Sequence, residues 1–133
     1  MMTRVEKYMT RSPETIGRDR TLHEAHLLMR RHHIRHLPVL DGGRLVGILS
    51  LGDLHLIETL SDVQPLEVEV GEAMTMDPYQ VSPDAPLDVV ADAMAERRIG
   101  SAVVVDQGRV VGVFTAIDAL QAFATMLRGR ADA

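Results

Sequence analysis

The clearest chemical signal in the sequence is a hydroxyl residue placed three positions before an aspartate, which occurs twice. The pairs are Ser50 with Asp53 and Thr115 with Asp118, and each hydroxyl residue follows a glycine and two apolar residues. Ser/Thr-x-x-Asp can be a capping box, in which hydroxyl and carboxylate bind backbone N–H groups at a helix start. The same arrangement can bind a nucleotide, because a helix N-terminus attracts phosphate and a nearby carboxylate accepts hydrogen bonds from a ribose diol. Both interpretations fit the residues.

The two motifs belong to a longer internal repeat. Residues 5–54 align without a gap with residues 70–119, at an offset of 65 residues, and the copies are identical at 15 positions. Two copies are too few for a solenoid, which needs several stacked repeats. We therefore expect two halves of one pseudo-symmetric structure.

Each copy predicts the same order of elements, β-α-β-β-α, and hence an α/β (α+β) fold. Thr21 and Glu24 form a capping-box pattern that predicts the start of the first helix. Two apolar, β-branched runs follow, joined by Asp41–Arg44 in one copy and by Asp106–Arg109 in the other, which is typical of hairpins. The runs are almost wholly apolar, so the strands should be covered on both faces.

The last helix of each copy is predicted to begin at the hydroxyl residue of the motif. In the first copy it continues through Leu60, and in the second it continues through Leu127. Residues 61–69 contain a proline and alternating acidic residues, which indicates a connector between the copies. Residues 128–133 are predicted to be a frayed tail.

The composition excludes several classes of protein. The chain has 133 residues, no cysteine, no tryptophan and a net charge of −5. It can form neither disulfides nor thiolate metal sites, and it lacks the aromatic platforms and basic surface of nucleic-acid-binding proteins. No signal peptide or membrane-spanning run is visible, so we expect a cytoplasmic protein that contacts neither membrane nor nucleic acid.

The repeat, the order of its elements and its motifs resemble a tandem pair of cystathionine β-synthase (CBS) domains. The opening segments Val5–Thr10 and Val70–Thr75 and the strand entry Ile34–Val39 match as well. The resemblance implies CBS domain 1 at residues 1–60 and CBS domain 2 at residues 70–127, packed as one Bateman module. It also implies a homodimer that pairs through its helices.

By this resemblance, the module would bind an adenosine-containing ligand such as AMP, ADP, ATP or S-adenosylmethionine. Asp53 and Asp118 would hold ribose hydroxyls, while Ser50 and Thr115 would contact ribose or phosphate. Adenine would contact Thr15 and Ile16 in copy one, and Gln80 and Val81 in copy two. The neighbouring strand would line each pocket, with Arg35, His36 and Leu37 in copy one and with Gly100, Ser101 and Ala102 in copy two.

All six histidines lie in the first copy, and several have helical spacing that could place them on one face. A metal site is one interpretation, but no cysteine joins them and the His-Glu-x-x-His pattern is absent, so we expect exposed helix histidines and no metal. The basic run Arg30–His36 is compatible with a solvated helix end, with a ligand phosphate contact or with a nucleic-acid contact.

We therefore expect a regulatory, ligand-sensing module rather than an enzyme. No catalytic nucleophile motif and no phosphate-binding Gly-x-x-x-x-Gly-Lys loop is present. The module would signal to an unidentified protein partner by a change of conformation or of dimer arrangement. The alternative is a ligand-independent scaffold for dimerisation or docking, in which both motifs act only as helix caps.

Overall fold

The computed structural model describes residues 3–60 and 62–131. A turn of 3-10 helix at Val5–Lys7 precedes the regular elements. In chain order these are β1 (Thr10–Arg11), β2 (Ile16–Gly17), α1 (Leu22–His32), β3 (His36–Asp41), β4 (Arg44–Ser50), α2 (Leu51–Glu58), α3 (Val70–Ala73), β5 (Thr75–Met76), β6 (Gln80–Val81), α4 (Leu87–Arg97), β7 (Ser101–Asp106), β8 (Arg109–Thr115) and α5 (Ala116–Ala131). The predicted α+β class is confirmed, and each copy contains the predicted β-α-β-β-α order, preceded by a short helical segment and one further short strand, β1 or β5. No helix in the described part of the chain is both long and apolar enough to span a bilayer.

The chain divides into two compact units. We call Glu14–Pro78 the continuous unit, and Met1–Pro13 together with Tyr79–Ala133 the discontinuous unit. The sheet of the continuous unit has the order β2-β3-β4-β5, and that of the discontinuous unit has the order β1-β8-β7-β6. In each sheet one short strand pairs parallel with the first hairpin strand, and another pairs antiparallel with the second.

The compact units are offset from the sequence repeats. Strand β1 precedes the first repeat's helix but pairs with β8, so Thr10 lies opposite Val113. Strand β5 likewise pairs with β4, where Thr75 lies opposite Ile48. The boundaries of the units fall after Pro13 and after Pro78, while 1–60 and 70–127 remain a predicted division of the sequence. Of the predicted connector and tail, Ser61 and residues 132–133 lie outside the described residues, and helix α5 continues to Ala131.

Both hairpins follow from their turn sequences. The two central residues of each turn have positive φ, at Gly42 and Gly43 in one hairpin and at Gln107 and Gly108 in the other. Two-residue turns of this kind match the twist of the flanking strands. Glycine removes the steric cost of the left-handed conformation at both central positions of the first turn and at one position of the second. Because each hairpin has a fixed register, His36 lies opposite Ser50 and Ser101 lies opposite Thr115, at the ends of β4 and β8 that precede α2 and α5.

Local signals also set the helix ends. The capping box predicted at Thr21 is present, with the Glu24 N–H donating to the threonine hydroxyl at 3.2 Å. Helices α1 and α4 end at the left-handed residues His33 and Arg98. Helix α2 ends at Glu58, so the predicted extension through Leu60 is wrong. The chain turns there because the Thr59 hydroxyl donates to the Leu56 carbonyl at 2.6 Å, a side-chain bond that competes with continued helix.

Each unit has its own aliphatic core. Phe114 is fully buried in the discontinuous unit among residues that include Val90 and Val104. Leu49, which is its equivalent in the repeat, is fully buried in the continuous unit. In both copies the buried residue directly precedes the hydroxyl residue of the motif. The core therefore anchors the strand end from which each candidate site begins.

Two equivalent glycines allow a neighbouring segment to approach the second hairpin strand. A Cβ atom at Gly47 would lie 2.9 Å from the Thr75 carbonyl oxygen and against the Met74 sulfur. The three atoms nearest to a Cβ atom at Gly112 would all belong to the Met9 side chain. We expect Gly47→Ala to lower the free energy of unfolding by about 1–3 kcal/mol, because the backbone cannot move aside easily. Gly112→Ala should cost less, because a methionine side chain adapts.

Urea unfolding of the two variants tests this expectation. Gly129→Ala is a suitable control, since a Cβ atom there meets nothing within 4 Å and the residue lies in α5. That substitution should stabilise the protein by about 0.5–1 kcal/mol, because alanine loses less backbone freedom than glycine in a helix. Equal costs at Gly47 and Gly112 would contradict the role of the Thr75 carbonyl.

Candidate functional site

The candidate site of the discontinuous unit lies where β8 meets α5. Thr115 is directly opposite Ser101 in the β7–β8 pair. The Ala116 N–H donates to the Gly100 carbonyl at 3.1 Å, so the entry to β7 is joined to the start of α5. Four predicted site residues, Gly100, Ser101, Thr115 and Asp118, are thus held together by one hairpin and one helix turn.

The Asp118 carboxylate is fixed by three donors. Its Oδ2 atom accepts from the Thr115 N–H at 2.9 Å and from the Thr115 hydroxyl at 3.1 Å. The Thr10 hydroxyl of β1 lies 3.3 Å from both carboxylate oxygens. In return, the Asp118 N–H donates to the Thr115 hydroxyl at 3.3 Å. The carboxylate is half-buried and held in a single orientation at the helix start.

Sequence reasoning missed Thr10 as a member of this site. The signal was present, since Thr10 and Thr75 are identical at equivalent positions of the repeat. The pairing of β1 with β8 could not be predicted from local pattern, because 108 positions separate Thr10 from Asp118. Within the described residues, the continuous unit has no matching hydrogen bond between Thr75 and Asp53.

The remaining predicted residues of this unit lie on the neighbouring strand and in the core. Gln80 is exposed at the start of β6, opposite Val103, and Val81 lies opposite Val104. Strand β6 therefore flanks the side of β7 away from β8. The Ala102 side chain is fully buried, so it supports the junction from within the core.

The continuous unit repeats this geometry with different side chains. Ser50 lies opposite His36, and the Leu51 N–H donates to the Arg35 carbonyl at 2.8 Å. The capping box is complete: the Ser50 N–H donates to Asp53 Oδ2 at 2.9 Å, and the Asp53 N–H donates to the Ser50 hydroxyl at 3.1 Å. Arg35 is exposed here, whereas its equivalent in the other copy is Gly100.

The structure separates the other predicted residues of the continuous unit. Thr15 and Ile16 line a depression of about 450 Å³ beside the turn of the β3–β4 hairpin. Arg35 lines a second depression, of about 410 Å³, near the start of α2. The Leu37 side chain is fully buried in the core. In this unit Thr15 and Ile16, the residues predicted to meet adenine, therefore line a different depression from Arg35.

The capping interpretation of both motifs is confirmed by these hydrogen bonds. A ligand role remains compatible with it, because an ionised carboxylate has about four acceptor positions and each aspartate uses only some of them for the cap. A capping carboxylate is also pre-oriented at the positive end of the helix, where a diol or a phosphate could be bound.

Two of the six histidines lie beside glutamate side chains. His26 Nδ1 lies 2.9 Å from Glu58 Oε1, and His32 Nε2 lies 3.6 Å from Glu14 Oε1. Over residues 3–60 and 62–131, no group of three or more potential ligands has an arrangement that could hold a metal ion. Elsewhere, a hydrogen bond from the Ser82 hydroxyl lowers the pKa of Asp84, in the turn before α4.

Comparisons with known proteins agree with this architecture. The chain is 34% identical over 116 residues to an inosine-5′-monophosphate dehydrogenase of Korarchaeum cryptofilum. The matched region covers 86% of this chain but 23% of the dehydrogenase. It is 30% identical over 112 residues to the CBS domain-containing protein YhcV of Bacillus subtilis, covering 84% of this chain and 79% of YhcV. The chain therefore spans less than a quarter of the first relative and most of the second.

A solved structure extends the match to three dimensions. The CBS domain pair of protein MJ0100, in complex with 5′-methylthioadenosine and S-adenosyl-L-methionine, has a TM-score of 0.86 and 30% identity. It covers 95% of this chain and 99% of that one. The family model described as the CBS domain matches residues 5–56 and again residues 70–125. The chain therefore belongs to the CBS domain family and carries the domain twice.

Proposed function

We propose that this protein is a regulatory module that senses an adenosine-containing small molecule, such as AMP, ADP, ATP or S-adenosylmethionine. The observation that carries the proposal is the pair of hydroxyl and carboxylate side chains held at a strand-to-helix junction in each unit. The similarity to the MJ0100 domain pair, whose structure holds two adenosine derivatives, supports the choice of ligand class. We infer a regulatory rather than an enzymatic role, in the cytoplasm.

In the proposed complex each carboxylate accepts hydrogen bonds from the two ribose hydroxyls. Charge-assisted hydrogen bonds of this kind are stronger than neutral ones, and the ligand's diol has the two adjacent donors that a carboxylate can accept. The hydroxyl residue of each motif and the first turn of the helix would contact ribose or phosphate. Adenine would lie against Gln80 and Val81 in one unit and against Thr15 and Ile16 in the other.

The discontinuous unit is the better candidate. Gly100 and Ser101 leave more room at its junction than Arg35 and His36 leave at the other. Its carboxylate is also held by the additional bond from Thr10, so less side-chain freedom would be lost when a ligand binds. In the continuous unit, Arg35 and His36 would instead contribute positive charge toward phosphate.

Isothermal titration of nucleotide-stripped protein with AMP, ADP, ATP and S-adenosylmethionine tests the proposal. Saturable binding to at least one of the four, with adenosine competing, would support it. Guanosine nucleotides are the control for base selectivity. An absence of heat with all four ligands, together with no shift of the thermal unfolding midpoint, would reject the proposal and favour the scaffold.

We further propose that the signal passes through a homodimer formed by a second copy of this chain. Helix α5 carries large apolar side chains on one face that remain exposed, namely Ile117, Leu120, Phe123 and Leu127. Their spacing of three to four residues gives a continuous stripe. In a two-fold symmetric dimer, this stripe can pack against the same stripe of a second copy. Beside it, Phe123 and Met126 line an apolar depression of about 390 Å³ between α4 and α5.

Phe123→Asp should shift the protein from dimer to monomer. A charge placed in the centre of an apolar interface removes an anchoring side chain and must be desolvated, so the dimer dissociation constant should rise by roughly thirtyfold or more. Sedimentation velocity over a concentration series measures this. Gln121→Asp introduces the same charge at an exposed position outside the stripe and should leave the constant unchanged. A wild-type protein that remains monomeric at every concentration would contradict the dimer.

The scaffold alternative rests on the same helix face. Both carboxylates already satisfy N–H groups at the helix starts, so the motifs have a structural role without any ligand. If the protein dimerises but binds none of the four ligands, the exposed stripe of α5 is the functional surface and the motifs are helix caps.

A further inference from the structure

The depression near the start of α2 in the continuous unit is lined mainly by arginine and histidine. Its volume is about 410 Å³, and it lies between the C-terminal half of α1, the segment that follows, and the first turns of α2. Five of the eight lining residues are arginine or histidine. The lining residues are His26, Met29, Arg30, His33, Ile34, Arg35, Leu51 and His55.

The two arginines of this depression have no acidic partner. Within residues 3–60 and 62–131, neither Arg30 nor Arg35 forms an ion pair, whereas Arg18 pairs with Asp41 at 3.7 Å and Arg20 with Glu24 at 3.9 Å. One carboxylate is near the depression, since Glu58 Oε1 lies 2.9 Å from His26 Nδ1. The guanidinium groups therefore remain available to an external anion.

The fold does not require this charge. At the equivalent positions of the discontinuous unit, the five cationic or titratable residues are replaced by four uncharged residues and one arginine. These residues are Ala91, Ala95, Arg98, Gly100 and Leu120. The same order of elements forms with alanine, glycine and leucine at four of these positions, so the folding of α1 and α2 does not need arginine or histidine there.

We propose that this depression binds the phosphate group of a small molecule. Arginine presents planar N–H donors that match phosphate oxygens, and histidine adds donors and charge when it is protonated. Arg30 comes from α1, Arg35 and His33 from the following segment, and His55 from α2, so three sides of the depression supply donors. Left-handed backbone at His33 ends α1 and turns the chain toward Arg35.

This phosphate site goes beyond the proposed nucleoside site, although the two share Arg35. Neither Ser50 nor Asp53 lines the depression, so a phosphate compound without a nucleoside could bind there. The phosphate group could also belong to a nucleotide whose ribose is held by Asp53. The experiment below separates these two sources.

Inorganic pyrophosphate and ATP are titrated separately into the wild-type protein and into Arg30→Ala and Arg35→Ala. We expect saturable pyrophosphate binding that each substitution weakens roughly tenfold, because each removes charge-assisted hydrogen bonds. Arg31→Ala is the matched control, because Arg31 is an exposed arginine next to Arg30 that does not line the depression. It should change the affinity less than about twofold. All three side chains are exposed, and thermal unfolding verifies that the variants fold.

A further variant makes the outcome decisive. If Asp53→Ala leaves pyrophosphate binding intact, the site binds phosphate independently of a nucleoside. If only ATP binds, and Asp53→Ala removes that binding, the phosphate belongs to a nucleotide whose ribose is held by Asp53.

The proposal is overturned if neither pyrophosphate nor ATP binds. It is equally overturned if Arg31→Ala weakens binding as much as Arg30→Ala, which would indicate diffuse surface charge. Binding of an oligonucleotide with steep salt dependence, without binding of pyrophosphate, would identify a nucleic-acid surface instead. None of these results depends on whether Asp118 binds a ribose.

Discussion

Replacement of Asp118 by alanine is expected to weaken the binding of the adenosine ligand by at least about tenfold, and to remove it from the discontinuous unit altogether if both ribose hydroxyls use the carboxylate. The half-buried carboxylate is oriented by Thr115 and Thr10. Isothermal titration with the best of the four ligands measures the loss.

The substitution also removes a helix cap, so the effect on binding must be separated from an effect on folding. Loss of the cap alone should cost about 0.5–2 kcal/mol of stability. Asp53→Ala removes the equivalent cap in the continuous unit and is the matched control. Comparable losses of stability with loss of binding in the Asp118 variant alone would assign the ligand to the discontinuous unit.

Thr10→Val provides an independent test of the same site. It deletes the hydroxyl that orients Asp118 while leaving the capping box intact. A loss of affinity of several fold is expected, because the carboxylate would regain side-chain freedom. If Asp118→Ala binds all four ligands as the wild type does, the carboxylate is a cap only and the ribose assignment is wrong.

Phe114→Ala should produce the largest loss of stability in the chain, about 3–5 kcal/mol, because it removes a fully buried aromatic side chain and leaves a cavity. Its equivalent, Leu49→Ala, should cost about 2–5 kcal/mol in the continuous unit. Urea unfolding followed by far-ultraviolet circular dichroism measures both. A cost below about 1 kcal/mol for Phe114→Ala would contradict the central place of this residue in its core.

The sequence provides a probe that distinguishes the two units. The chain has two tyrosines and no tryptophan, and both Tyr8 and Tyr79 pack against the core that contains Phe114. Tyrosine fluorescence therefore reports on the discontinuous unit. Phe114→Ala should shift the fluorescence transition to lower urea concentration. If Leu49→Ala shifts it as far, the two units unfold as one cooperative structure; if not, they unfold separately.

Features set by neighbouring residues could be predicted from the sequence. The hairpin turns at Gly42–Gly43 and Gln107–Gly108, and the capping boxes at Thr21 and Ser50, depend on chemistry within a few positions. The repeat then related one copy to the other, so an element recognised in one half was predicted in both. For this reason the order of elements and the positions of the two motifs were right.

Features set by distant pairing could not be predicted in this way. Strands β1 and β5 are two residues long and carry too little pattern to be recognised alone. The segments that contain them lie against Gly112 and Gly47 of the second hairpin strands, and the local sequence pattern does not encode this contact. The contact between Thr10 and Asp118 depends on that pairing, and so does the offset between repeats and compact units. The cationic depression was visible only as a basic run, because the fold was needed to add His26 and His55 to it.

The placement of β1 has a consequence for any shorter version of this protein. In this protein the opening strand of each repeat pairs with the second hairpin strand of the other repeat: β1 pairs with β8, and β5 pairs with β4. A polypeptide with one repeat would contain an opening strand but not the hairpin strand that pairs with it here. It could complete its sheet only by exchanging that strand with another molecule, which is domain swapping. Duplication within one gene makes this exchange intramolecular, so assembly no longer depends on the concentration of a second chain.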